Sequence, residues 1–163
     1  MAKRFQKPRK TLVADAREAI DLCVGLTARL AARRITRFMD ARMREADISL
    51  AKFGLLTHIA AAGDDTIGAL AERSGLEQST LSRNLRGLEK EGLVEIAVVE
   101  EDLRRRAVWL TEAGARRLEA AMPVWRSAHT ALTALIAPDQ RLDLRRIAQI
   151  LAAQQADGPE ALP

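Results

Sequence analysis

A short polar segment in the middle of the chain places leucines on one side of a predicted helix and polar groups on the other. With Leu81 as the inward reference at 100° per residue, Leu85 and Leu88 fall on the same side of a helix that we predict over about 78–91. The opposite side carries hydroxyls and cations, namely Ser79, Arg83, Arg86 and Lys90. Hydroxyls approach phosphates, arginine pairs with guanine, and Gln78 at the helix start could pair with adenine. This face therefore suits the major groove of duplex DNA, and the simpler alternative is a solvated helix face.

A second group of charged residues lies at the tip of a predicted hairpin. The segments 93–99 and 106–110 are typical of two strands, and a charged turn joins them. Asp102 comes two residues before Arg104 and can hold its guanidinium in one orientation, and we assign the adjacent Arg105 to the same surface. A narrow minor groove, with its enhanced negative potential, attracts such an arginine. The alternative is a solvated hairpin whose internal ion pairs contribute little.

The elements around these two groups form a helix-turn-helix pattern followed by a wing. A short helix is predicted over 67–74, with Leu70 and Ala71 inward, and Gly75 can take the positive φ of a tight turn. The small side chain of Ala71 lets the two helices approach, and Leu81 fills their junction. The predicted fold class is mainly α with a small β wing: a winged helix-turn-helix flanked by N- and C-terminal dimerisation helices.

Apolar periodicity predicts helices on both sides of this module. Thr11 is a candidate N-cap for one long helix over roughly 12–45, which is longer than a small globule needs, so part of it should meet another copy of the chain. Ser49 and Thr111 are candidate caps of later helices, and Pro138 begins a final amphipathic one. The predicted segments are a basic disordered tail over 1–11, an N-terminal dimerisation helix over 12–48, a winged helix-turn-helix DNA-binding lobe over 49–110, C-terminal dimerisation helices over 111–156 and a frayed tail over 157–163.

Composition and charge exclude several classes of protein. The 163 residues are 48% hydrophobic and 29% charged, with no apolar run near the roughly 18 residues of a membrane span and no signal-peptide core. We therefore predict a cytoplasmic protein without a membrane partner. The first ten residues carry +5 and the whole chain +4, so the body is not basic, and the tail is either an extra phosphate contact or a solvated segment. With two histidines and no metal-binding or phosphate-cradling motif, we predict no enzyme, no catalytic residue, no cofactor and no metal.

Two stretches of the sequence resemble the MarR family of multiple-antibiotic-resistance-type regulators. They are TIGALAERSGLEQSTLSRNLRGLEKEGLVE, over 66–95, and DLRRRAVWLTEAG, over 102–114, which is similar to the family's D-x-R wing and L-T-x-x-G helix start. The resemblance covers nearly the whole chain from about residue 22. It implies a homodimer whose recognition helices enter the major groove and whose wing arginines enter the minor groove. It also implies that the residues facing DNA are Gln78, Ser79, Thr80, Ser82, Arg83 and Arg86, with Asp102 and Arg104 in the wing.

The same resemblance implies a small-molecule effector. In the family, aromatic, anionic or lipophilic molecules bind between the dimer helices and the DNA-binding lobe and change the spacing of the recognition helices. We therefore predict a repressor that binds a near-palindromic operator and is released by such a ligand. Candidate ligand-binding residues, each of which could instead serve packing, are Arg33, Arg37, Phe38, Phe53, Thr57, His58 and Trp125.

The single cysteine, Cys23, is predicted to be a packed core thiol. Some members of the family sense oxidants through a first-helix cysteine hydrogen-bonded by tyrosines, but this chain has no tyrosine, and Arg29 falls nearly on the opposite helix face. Two alternative functions stay open at this point. One is a redox-sensing regulator that acts through Cys23, and the other is a winged-helix adaptor that binds protein instead of DNA. A steep salt dependence of duplex binding would exclude the adaptor.

Overall fold

A computed structural model of the chain describes residues 11–62, 65–99 and 102–156. The predicted tails over 1–10 and 157–163 lie outside these residues, as do the side chains at the wing tip, over 98–105. The chain divides into two compact units, the first ending at Arg37 and the second beginning at Phe38. The elements are α1 Leu12–Leu22, α2 Val24–Met43, a 3-10 turn Arg44–Ala46, α3 Leu50–Ala62, β1 Asp65–Thr66, α4 Ile67–Ser74, α5 Gln78–Lys90, β2 Val94–Val99, β3 Asp102–Leu110, α6 Glu112–Thr133 and α7 Pro138–Ala156.

The first unit differs from the single long helix that the periodicity predicts, because the helix is interrupted at Cys23. This residue has an extended backbone, with φ −72° and ψ 106°, and it separates α1 from α2. The two residues that follow, Val24 and Gly25, are both weak helix formers, which accounts for a break at this point. Thr11 precedes α1 as predicted, but its hydroxyl makes no capping hydrogen bond.

In the second unit, α3 begins at a double cap and supplies much of the core. The Leu50 N–H donates to Asp40 Oδ1 at 2.7 Å, and the Lys52 N–H donates to Ser49 Oγ at 3.3 Å. The Ser49 cap was predicted, whereas the capping carboxylate of Asp40 comes from α2 and could not be identified from local spacing. The helix buries the side chains of Phe53, Leu55, Leu56 and Ile59.

The helix-turn-helix over α4 and α5 has the predicted boundaries to within one residue. Thr66 caps α4 by accepting a hydrogen bond from the Ala69 N–H at 3.3 Å. Gly75 follows in the left-handed region at φ 64°, as the turn requires. Leu70 and Leu81 are each 0% exposed, so both side chains lie in the core of the unit.

The wing is a three-stranded antiparallel sheet in the order β1, β3, β2. Strands β2 and β3 were predicted, but the two-residue β1 was not, because a strand of that length has no alternation to detect. Val108 pairs with Asp65 on one side and Ile96 on the other, and its side chain is 0% exposed. The sheet is thereby attached to the core of the unit.

The start of α6 packs closely against the backbone that precedes β2. Thr111 caps α6 by accepting from the Gly114 N–H at 3.0 Å, and its hydroxyl donates to the Gly92 carbonyl at 2.7 Å. The Thr111 N–H also donates to the Leu93 carbonyl at 3.1 Å. A Cβ atom on Gly114 would lie 1.9 Å from the Leu93 oxygen, so only glycine fits there. The L-T-x-x-G sequence therefore holds the first turn of α6 against the end of the helix-turn-helix.

The remaining part of the second unit is α6 and α7. Through Leu118, Ala121 and Ala128, α6 contributes side chains to the core of this unit. In contrast, α7 exposes a row of apolar side chains, namely Leu142, Leu144, Ile147, Ile150 and Leu151. Among the described residues, no helix is long and apolar enough to cross a membrane. Within the same part of the chain, no cluster of three His, Cys, Asp or Glu side chains is arranged to hold a metal ion.

Candidate nucleic-acid interface

The leucines of α5 determine which side of the recognition helix reaches solvent. Leu81 and Leu85 are 0% exposed and Leu88 is 1% exposed, so this side is packed inside the unit. The predicted DNA-facing residues of α5 consequently lie on the outer side. Gln78, Ser79, Arg83 and Arg86 are exposed, and Thr80 and Ser82 are half-buried.

The N-terminus of α5 is open to a ligand. Glu77 precedes the helix with φ −55° and ψ 137°, and its side chain makes no capping hydrogen bond. The first N–H groups of a helix have no partners within the helix, and they carry partial positive charge. Hydroxyls at Ser79 and Thr80 lie in the same first turn. This end of the helix can therefore donate hydrogen bonds to DNA phosphates or base edges.

A cavity of about 580 Å³ opens between α5 and the wing. Its described lining residues come from β1, α4, α5, β2 and β3, and they are Thr66, Ile67, Gly68, Gln78, Ser82, Leu85, Arg86, Glu89, Ile96 and Arg106. Arg106 was not among the predicted site residues. A usable signal existed in the sequence, because Arg106 continues the run of arginines that begins at Arg104 in the predicted wing.

The wing contacts stay predictions. Asp102 is paired with Val99 in the backbone register, but the side chains of Asp102, Arg104 and Arg105 lie outside the described residues. At the base of the wing, the indole N–H of Trp109 donates to Glu95 Oε2 at 3.0 Å across the two strands. This cross-strand hydrogen bond supports the strand register that carries the tip.

Part of the predicted effector site forms an aromatic stack. Phe53 and Trp125 stack with their ring centroids 5.7 Å apart, and Thr57 donates from its hydroxyl to the Phe53 carbonyl at 2.8 Å. His129 stacks on Trp125 at 5.2 Å and was not predicted, although its spacing of four residues on one helix is a usable signal.

The other candidate effector residues have separate surroundings. The guanidinium of Arg42 lies 3.5 Å from the centre of the Phe38 ring. His58 is half-buried on α3, and Arg33 and Arg37 are exposed on the part of α2 that belongs to the first unit. The complete ligand set therefore remains a prediction from the family resemblance.

Cys23 is not a packed core thiol within this chain, because its side chain is exposed. The prediction rested on the lack of tyrosine and on the placement of Arg29, which argue against a reactive thiol but do not determine whether the side chain is covered. A shallow depression beside the thiol is lined by Asp15, Glu18, Ala19 and Leu22. The charged residues in this set are both acidic, whereas a reactive thiolate requires an electropositive setting.

We expect the Cys23→Ser variant to keep wild-type affinity for DNA and the wild-type protein to lose little binding on treatment with peroxide. The physical reason is the acidic surroundings of the thiol together with the lack of tyrosine in the sequence. Gel-shift titrations before and after peroxide, with Cys23→Ser as the matched control, measure the effect. A large, thiol-reversible loss of binding that is absent from Cys23→Ser would establish the redox-sensing alternative instead.

The fold and the exposed groups define a winged helix-turn-helix protein, and comparison with known proteins gives the same class. A sequence model described as the MarR family matches residues 46–105. The chain is 30% identical to the HTH-type transcriptional regulator Mb0904 of Mycobacterium bovis, and the alignment covers 91% of this chain and 99% of that relative.

Solved structures show the same likeness. The crystal structure of the Mycobacterium tuberculosis transcriptional regulator MosR in complex with DNA is 32% identical, with a TM-score of 0.73 over 83% of this chain and 98% of that one. BpsR of Bordetella bronchiseptica is 16% identical and shares the fold, with a TM-score of 0.70 over 90% of this chain and 98% of that one. The chain belongs to the MarR family, and it is a winged-helix, DNA-binding transcriptional regulator and not an enzyme.

Proposed function

We propose that this protein is a homodimeric repressor that binds a near-palindromic operator in the cytoplasm and is released by a small ligand. The observation that carries the DNA-binding part is the outer side of α5, where Ser79, Arg83 and Arg86 are exposed opposite a row of fully buried leucines. A side fixed by burial in this way is preorganised for a groove. MosR, at 32% identity, is described in complex with DNA, which supports the same use of the fold here.

Exposed apolar surface supports the homodimer. On α1 and α2 the exposed apolar residues include Leu22, which is 70% exposed, and Val24, which is 74% exposed, and α7 carries a further row. Isolated apolar side chains are normal on a surface, but rows of them along whole helices mark an interaction site. A two-fold dimer uses one such surface twice and places two recognition helices on half-sites about one helical turn apart.

The aromatic stack of Phe53, Trp125 and His129 supports a site for a small effector. Aromatic faces bind flat aromatic ligands, and the nearby hydroxyl of Thr57 adds a polar group that can set ligand orientation. Repression follows from the proposed mode of binding, because a dimer that occupies an operator excludes other proteins from that DNA. We propose that the ligand relieves repression by changing the spacing of the two recognition helices.

The DNA-binding proposal is tested by two arginine variants, which should lose affinity for DNA with different dependence on the base sequence. Arg83→Ala removes a contact to a base in the major groove, so it should cost about 1–3 kcal/mol per half-site and relax the preference at one base position. Arg104→Ala removes a cation from a narrow minor groove, so affinity for DNA should fall. Base-pair substitutions that alter the groove width should then change the affinity of this variant less than that of the wild type. Asp102→Ala should resemble Arg104→Ala with a smaller effect.

The measurement uses a duplex that the wild-type protein selects from a randomised pool, together with all its single-substitution variants. Each protein is titrated at two salt concentrations, with Arg116→Ala as the control because Arg116 pairs with Glu112 on α6 and does not line the cavity between α5 and the wing. If both arginine variants bind every duplex as the wild type does, α5 and the wing do not read DNA. A wild-type protein that binds no duplex in a salt-dependent way would favour the protein-binding adaptor.

A further inference from the structure

Two arginines line the cavity between α5 and the wing, and only one of them is among the predicted DNA contacts. Arg86 comes from α5 and Arg106 from β3, and both line the same space of about 580 Å³. Both side chains are exposed, and among the described residues neither forms an ion pair with an acid. Among the lining residues that the structure describes, Glu89 is the one acid beside the two arginines, so the formal charge of these described residues is net positive.

The position of the cavity follows from the path of DNA across the wing. In the proposed complex α5 occupies the major groove and the wing tip occupies the adjacent minor groove. One sugar–phosphate strand separates these two grooves, so it must cross the surface between α5 and the wing. The cavity lies on that surface, because α5 lines it from one side and Ile96 and Arg106 of the wing strands line it from the other, with residues 66–68 at the start of α4 completing the lining.

The chemistry of the lining fits a phosphate better than a base edge. Besides the two guanidinium groups, the cavity presents the amide of Gln78 and the hydroxyl of Ser82, all of which donate hydrogen bonds to anionic oxygens. Arg106 lies on the sheet face that also carries the buried Val108, and its backbone partner is Val98. In the proposed complex, a side chain at this position of β3 would face the sugar–phosphate backbone between the two grooves.

We propose that Arg106, together with Arg86, holds one backbone phosphate of the DNA strand that passes between the recognition helix and the wing. This inference rests on the proposed function, since it requires the protein to bind duplex DNA. It adds a residue that positions the DNA without reading its sequence. The wing would thus be held to DNA at its base by Arg106 as well as at its tip.

The test measures how the affinity of Arg106→Ala depends on salt. Loss of one phosphate contact in each half-site should make the slope of log affinity against log salt less steep by about 2 for the dimer. The advantage of the wild type over Arg106→Ala should therefore shrink about tenfold between 50 and 200 mM salt. Arg106→Lys should restore most of the slope, because a phosphate contact needs only a positive charge within reach. The duplex is the one that the wild type selects from a randomised pool, and Arg116→Ala controls for the change in net charge.

Each result has one meaning for the inference. Equal losses for all single-substitution duplexes, with the reduced slope, support a phosphate contact. A slope equal to that of Arg116→Ala overturns the contact while leaving the proposed function intact, provided that the wild type binds with a steep slope. Loss of preference at a single base position also overturns it, because it would mean that Arg106 reads a base. Thermal melting of each variant confirms folding, which we expect to be unchanged because Arg106 is exposed.

Discussion

Gly114→Ala should lower the free energy of unfolding by more than about 3 kcal/mol or prevent folding of the second unit. The added Cβ would lie 1.9 Å from the Leu93 oxygen and 2.9 Å from its carbonyl carbon, and both are backbone atoms that no rotamer change can move. The first turn of α6 cannot retreat without loss of the hydrogen bonds that Thr111 makes to Gly92 and Leu93, at 2.7 and 3.1 Å.

Urea unfolding followed by circular dichroism measures this effect, and Gly87→Ala is the matched control. A Cβ on Gly87 would meet nothing within 4 Å, so that variant should gain up to about 1 kcal/mol from the higher helix propensity of alanine. Both variants must be compared at one protein concentration, because the proposed dimerisation would contribute to the apparent stability. A Gly114→Ala protein with wild-type stability would show that α6 does not approach Leu93 this closely.

Removal of residues 138–163 should convert the proposed dimer into a monomer at micromolar concentration and reduce operator affinity by orders of magnitude. The deleted helix α7 carries five apolar side chains that are at least 49% exposed in the single chain, so a partner must cover them if they contribute to stability. A monomer retains one recognition helix and loses the second half-site, together with the binding energy that comes from linking the two.

The truncated chain should still fold, because the core residue closest to its new C-terminus is Ala128. Sedimentation velocity measures the oligomeric state, and circular dichroism checks the fold. The double variant Ile147→Lys with Leu151→Lys provides a control that keeps the chain length and places charge on the same surface. A truncated protein that sediments as a stable, well-folded dimer would exclude α7 from the interface.

The helix-turn-helix was predictable because its determinants are local. The Thr66 cap, the left-handed Gly75 and the leucine spacing in α5 each act within a few residues of chain, and the structure contains all three. The same holds for the outward position of Arg83 and Arg86, which follows from helix geometry once Leu81 is known to be buried. The family resemblance rests on this same segment.

Features that depend on residues distant in sequence could not be predicted. The strand β1 exists only because Asp65 and Thr66 pair with β3, some forty residues later. The stack of Phe53 on Trp125 joins α3 to α6, and no spacing along either helix predicts which faces will meet. The break at Cys23 was missed for another reason. The apolar periodicity of the sequence continues through this residue, but its backbone is extended and not helical.

By itself, the sequence determined the order of the helices, the polar side of the recognition helix and the winged class of the fold, because propensity, capping and periodicity act over short stretches of chain. Only the tertiary structure decided that Gly114 must be glycine and that Arg86 and Arg106 share one cavity. Both results depend on how closely one element packs against another, and this distance is set by side chains and hydrogen bonds from several elements at once.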